Sequence, residues 1–173
     1  MSLDRRAAIL RFLSNRHSPI TGAELAQHFD VSRQVIVQDI ALLRAQGATV
    51  VATPRGYLYG PAMTGNKFIR RLACRHAPGQ TRLELTTIVK AGCRVVDVIV
   101  EHPLYGEIRG LLLLNTLADV EDFINRYHNQ HAQLLSSLTE GVHLHTVETN
   151  NPDSIKQAEN QLKRRGILLP CGQ

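Results

Sequence analysis

Residues 31–59 read VSRQVIVQDIALLRAQGATVVATPRGYLY, and within this stretch the apolar residues change period. Val35, Ile36, Ile40, Leu42 and Leu43 recur at the spacing of one helix face, and Gly47 ends the run. From Ala48 the pattern alternates and turns at TPRG, which predicts a short two-stranded hairpin with Arg55 at its tip. Ser32 stands at the start of the helix, where a hydroxyl satisfies free backbone amides. Upstream, Thr21 and Glu24 have capping-box spacing, Leu25, Ala26 and Phe29 supply an apolar face, and Asp30 to Ser32 is left as a tight turn. A first helix carries Leu3, Ala7, Leu10 and Leu13, with Ile9 and Phe12 beside them, and stops before Pro19. Residues 1–60 thus predict three helices and a hairpin.

Two helices joined by a tight turn, the second with a polar amino-terminal face, form a helix-turn-helix whose second helix fits the major groove. Arg33, Gln34 and Gln38 then face bases, because arginine pairs with guanine and glutamine with adenine through two hydrogen bonds. Ser32 and the free amides beside it suit a phosphate, and Arg55 reaches a phosphate or the minor groove. The net charge of +5 and seven Lys/Arg against four Asp/Glu in residues 1–60 favour an anionic partner, double-stranded operator DNA first.

Composition narrows the setting. The 173 residues, 43% hydrophobic and 20% charged, suit one or two globular domains. No run approaches the roughly 18 apolar residues of a membrane span, and the amino terminus lacks a signal-peptide core, so no membrane partner is expected. Cys74, Cys93 and Cys171 form no C-x-x-C pair, which points away from a disulfide framework and towards a cytoplasmic location.

Residues 31–59 resemble the winged helix-turn-helix of the biotin-repressor type, including the Gly56–Tyr57 pair that closes the wing. That resemblance adds Tyr57 to the DNA-binding set of Ser32, Arg33, Gln34, Gln38 and Arg55.

Beyond a boundary at GPAMTGN, residues 60–66, the pattern becomes βαββαβαβ, ending in a short strand ILLP, residues 167–170. This predicts an α+β domain over residues 64–173, with a mostly antiparallel sheet and helices on one face, after a DNA-binding domain over 1–60. His128 and His131 fall on a polar helix and are expected at the surface. His143 and His145, in GVHLHTVET, lie two apart on a strand and therefore share a face. His76 ends a neighbouring strand, and Glu84 lies in the first turns of the next helix. Three imidazoles and a carboxylate suit zinc, nickel, cobalt or iron with positions left for a small ligand; a hydrogen-bonded histidine pair is the alternative. Cys74, near His76, is read as a buried thiol.

RHAPGQTRLEL, VVDVIVEHPLYGEIRG and LTEGVHLHTVE resemble the three-histidine domain of the bacterial niacin-responsive transcriptional repressors. The resemblance implies a homodimeric repressor of niacin-uptake and NAD-biosynthesis genes, with nicotinic acid as co-repressor. It also implies a divalent transition metal, nickel or zinc, on His76, Glu84, His143 and His145. His102 is expected near the site, and Arg82 or Arg109 is expected to neutralise the effector's carboxylate. Two other readings stay open: a regulator for which nickel or zinc is itself the signal, and a metal-dependent hydrolase with Glu101 or Glu107 as base. Against the hydrolase, the chain has no H-E-x-x-H, G-x-S-x-G or Gly-rich phosphate loop.

Overall fold

Side-chain caps set the helix boundaries of the first half. In the computed structural model, which describes residues 2–60 and 67–170 apart from the side chains of residues 2 and 3, α1 is Ser2–Ser14, α2 Gly22–His28 and α3 Arg33–Ala45. The side chain of Leu3, boundary residues 61–66 and Cys171 lie outside the described residues. Thr21 Oγ1 accepts from the Glu24 amide at 3.1 Å while the Glu24 carboxylate accepts from the Thr21 amide at 2.8 Å, closing the expected capping box. Ser32 Oγ accepts from the Val35 amide at 3.3 Å. The hairpin is β1 (Val50–Thr53) with β2 (Gly56–Tyr59).

The chain forms two compact units, Met1–Thr64 and Gly65–Gln173. The first is built on Ile9, Leu13, Leu25, Ile36, Ile40 and Leu43. Leu42 is exposed instead of packing, since at 100° per residue it lies off the face shared by Ile36, Ile40 and Leu43, and Ala7 is exposed for the same reason on α1. Asp39 is buried on α3 and accepts a hydrogen bond from Arg5 Nε at 2.7 Å, so α1 is tied to α3 by charge as well as by apolar contact. Ile20 exchanges backbone hydrogen bonds with Tyr57 at 3.0 and 2.7 Å and acts as a third strand beside the hairpin.

The second unit runs β3 (Phe68–Arg75), α4 (Thr81–Lys90), β4 (Arg94–His102), β5 (Gly106–Leu114), α5 (Leu117–Asn129), β6 (Val142–Thr149) and α6 (Pro152–Arg164). The sheet order is β3-β6-β4-β5, antiparallel throughout. Leu72, Val95, Leu112, Leu114 and Val147 on one sheet face pack against Leu85, Ile88, Val120, Ile124, Ile155 and Leu162 of the helices. The α+β class is as expected, but ILLP forms only one isolated bridge, Cys74 to Leu168. Its hydrogen bonds to β3 are Arg75 N–H to the Ile167 carbonyl and Leu169 N–H to the Ala73 carbonyl, both at 2.8 Å.

Gly56 makes the close approach of the hairpin to Ile20 possible. Its φ is +122°, and a Cβ there would lie 2.2 Å from the Ile20 carbonyl oxygen. Gly56→Ala is expected to destabilise the first unit by at least about 1–3 kcal/mol, the cost of left-handed backbone for a non-glycine residue, plus the overlap. Urea unfolding followed by circular dichroism checks this.

Candidate metal centre and nucleic-acid face

A buried carboxylate organises the second unit. Thr81, Glu84, Leu85 and Ile88 recur on the inward face of α4, which places Glu84 against the sheet with 1% exposure. A charge so buried needs compensating partners. Three histidines supply them: His76 Nε2 lies 2.6 Å from Glu84 Oε2, His143 Nε2 2.9 Å from Oε1, and His145 Nε2 3.3 Å from Oε2. The rings meet edge to face, with centroids 4.9 Å apart for His76 and His143 and 4.8 Å apart for His143 and His145.

The opposite ring nitrogens are all engaged. Nδ1–H of His76 donates to the Ala77 carbonyl at 2.7 Å, that of His143 to Gly141 at 2.8 Å, and that of His145 to Asp97 at 2.7 Å. With Nδ1–H held by a carbonyl, each Nε2 is turned to the Glu84 carboxylate, and a partner on the far ring nitrogen is what fixes an imidazole that ligates a metal. Neutral imidazoles and a carboxylate are also a suitable donor set for a divalent transition ion. These residues therefore fit a metal.

Gly141 lets β6 begin against the end of β3. Its φ is +88°, and a Cβ would fall 2.4 Å from the His76 carbonyl oxygen. Cys74 is paired with His143 across the strands and fully buried, as its reading as a core thiol requires. Ligand atoms of Cys74, Glu84 and His143 nevertheless lie within 4.8 Å of one another. Burial, reinforced by the Glu84 charge, pushes the Cys74 thiol up.

The four expected ligands form the polar side of a cavity whose apolar wall includes Val98, Leu112, Phe123 and Leu135. The three residues expected at the effector do not line this cavity. Arg82 points to the surface and pairs with Glu121 at 2.9 Å, because the neighbouring positions Thr81, Glu84 and Leu85 take the inward face of α4. Arg109 lies opposite Ile99, on the sheet face away from Val98 and the cavity, and pairs with Asp97. His102 Nδ1 accepts from the amides of Leu104 at 3.1 Å and Tyr105 at 3.4 Å, and so caps the β4–β5 turn. His128 and His131 are exposed. The sequence reading missed Asp97 and Gly141. A single carboxylate inside the apolar run VVDVIV was a signal for Asp97, whereas nothing local marks Gly141.

On the first unit, Ser32, Arg33, Gln34 and Gln38 are exposed along the start of α3, and Arg55 is exposed in the hairpin turn. Tyr57 is half-buried and packs on the core of the unit, with its ring edge beside Gly22.

Residues 69–170 match the 3H domain model and residues 5–58 an HTH domain model. The chain is 43% identical over 169 residues to the probable transcription repressor NiaR of Thermotoga maritima, covering 98% of this chain and 95% of the relative. It is 42% identical over 171 residues to the transcription repressor NadR of Bacillus subtilis, with the same coverages of 98% and 95%. The chain belongs to the 3H-domain transcription repressors. This is the family that its sequence resembles, and it makes the protein a DNA-binding regulator rather than an enzyme. No described helix of this repressor is long and apolar enough to cross a membrane.

Charge in the repressor's histidine cluster is set by opposed effects. Burial disfavours the imidazolium at His76 and His145, but the hydrogen bond and charge of Glu84 outweigh it and raise both above the ordinary value. Burial also disfavours ionised Glu84, yet the facing His145, His143 and His76 hold it well below the usual carboxylate range. A raised histidine contributes stability below its unfolded value, about 6.5, and loses it as pH rises through the folded value. A lowered glutamate contributes above its unfolded value, about 4.3, and loses it as pH falls through the folded value. The metal-free protein should therefore be most stable between about 4.3 and 6.5 and lose stability above that window. Thermal melts in chelator across this range check the slope, and Glu84→Gln should flatten it.

Proposed function

We propose that the chain represses niacin-uptake and NAD-biosynthesis genes by binding operator DNA as a homodimer in the cytoplasm, with nicotinic acid as co-repressor. In this reading His76, Glu84, His143 and His145 hold nickel or zinc at the polar side of the cavity. The observation that carries it is the common orientation of three imidazoles, each with Nδ1 tied to a carbonyl and Nε2 turned to one buried carboxylate beside that cavity. A bound metal supplies Lewis-acid charge for a pyridine nitrogen or carboxylate. With Arg82 and Arg109 directed elsewhere, that charge takes over the neutralising role expected of them. The apolar wall with Phe123 suits an aromatic ring.

Titration calorimetry of nicotinic acid, with nicotinamide as control, before and after metal removal is the test. Binding of the acid by the metal-loaded protein alone is expected, and His143→Ala or His145→Ala should abolish it while the first unit stays folded. Acid binding that survives complete metal removal would overturn the metal's role. DNA affinity that follows nickel or zinc and ignores pyridine carboxylates would make the protein a metal sensor instead.

For the DNA face, Arg33→Ala, Gln34→Ala or Gln38→Ala should each weaken operator binding by about 1–3 kcal/mol and relax sequence preference. Arg55→Ala should weaken binding evenly across sequences and reduce the salt dependence by about one counterion. Fluorescence anisotropy over a salt series separates the two classes.

A further inference from the structure

The three histidines differ in what orients them. His76 donates to the carbonyl of the next residue, Ala77, and His143 to Gly141, two residues back, so both rings are fixed by their own backbone. The acceptor for His145 is the carbonyl of Asp97, 48 residues away on β4. Its orientation alone among the three depends on how two strands are placed.

Asp97 sits where those strands change register. Val95 is opposite Val147 but Ile99 is opposite Leu144, so the ladder slips by one residue between these pairs. Side chains bridge the interruption. Asp97 Oδ1 accepts from the Thr146 amide at 2.9 Å, and Oδ2 accepts from Arg109 Nε at 2.5 Å. The carboxylate is fully buried, and its two partners hold it from β6 and β5. Thr146 adjoins His145, and the Asp97 carbonyl receives the His145 ring. One residue thus fixes the irregular backbone with its side chain and orients a ligand candidate with its main chain.

We infer that Asp97 is a positioning residue of the histidine centre. Its clamp between Thr146 and Arg109 aims its carbonyl at His145 Nδ1, and that hydrogen bond keeps Nε2 directed at Glu84. The effect on metal affinity rests on the metal reading above; the effect on the ring does not. Partners that orient a ligating imidazole typically change metal affinity by roughly 10- to 100-fold when removed.

The test uses the full chain with Asp97→Ala, Asp97→Asn and Arg109→Ala, the last at a half-exposed position that serves if Asp97→Ala fails to fold. In metal-free protein, long-range proton–nitrogen correlation spectra should show the Nδ1–H of His145 losing its hydrogen-bonded position in Asp97→Ala, with those of His76 and His143 unchanged. Nickel and zinc affinity, measured by calorimetry, should fall by roughly 10- to 100-fold in Asp97→Ala. Asp97→Asn, which keeps an acceptor for Thr146, should recover part of the loss, and Arg109→Ala should show a smaller loss. An unchanged His145 Nδ1–H hydrogen bond in folded Asp97→Ala or Arg109→Ala overturns the inference, as does a uniform change in all three rings. If the native protein binds neither metal, the metal reading fails, and the ring spectra still decide the role of Asp97.

Discussion

The second unit is arranged around the problem of keeping the Glu84 carboxylate away from water. A buried charge is tolerated only when other groups replace its hydration, and here the replacements come from two elements distant in sequence. His76 follows β3, while His143 and His145 come from β6, so the pairing of β3 with β6 assembles the site. The same residues that solve the electrostatic problem turn three ring nitrogens to one carboxylate. A divalent ion held there would compete with the histidine protons for the same lone pairs.

Irregular backbone does much of the positioning. Gly141 allows β6 to start in contact with the backbone of His76, and the slip between β4 and β6 turns a main-chain carbonyl towards His145. A regular four-stranded sheet would keep its carbonyls in the ladder. The first unit uses a comparable device at Gly56, where the hairpin touches Ile20. In both units a glycine permits an approach that any Cβ would block.

Much of the architecture was legible from local chemistry. The capping box at Thr21 and Glu24, the cap at Ser32 and the turn at TPRG each depend on residues within four positions of one another, and all three form. The candidate site was legible in part, because the H-x-H spacing places two rings on one strand face whatever the rest of the chain does. Leu42 and Ala7 were misplaced because apolar character says a residue can pack without saying which way it points. Arg82 and Arg109 carry the charge that a carboxylate effector calls for, but the face each occupies depends on α4 orientation and on strand register.

The sequence by itself determined the division into a DNA-binding half and an α+β half, the helix starts, the pair of histidines on one strand face and the exposed polar start of α3. These follow from periodicity and capping, which are short-range. The tertiary structure decided that all three imidazoles converge on Glu84, that Asp97 anchors the slip in register beside His145, and that the arginines turn away from the cavity. Those outcomes rest on burial and on pairing between strands dozens of residues apart, and neither can be read from neighbours in the chain.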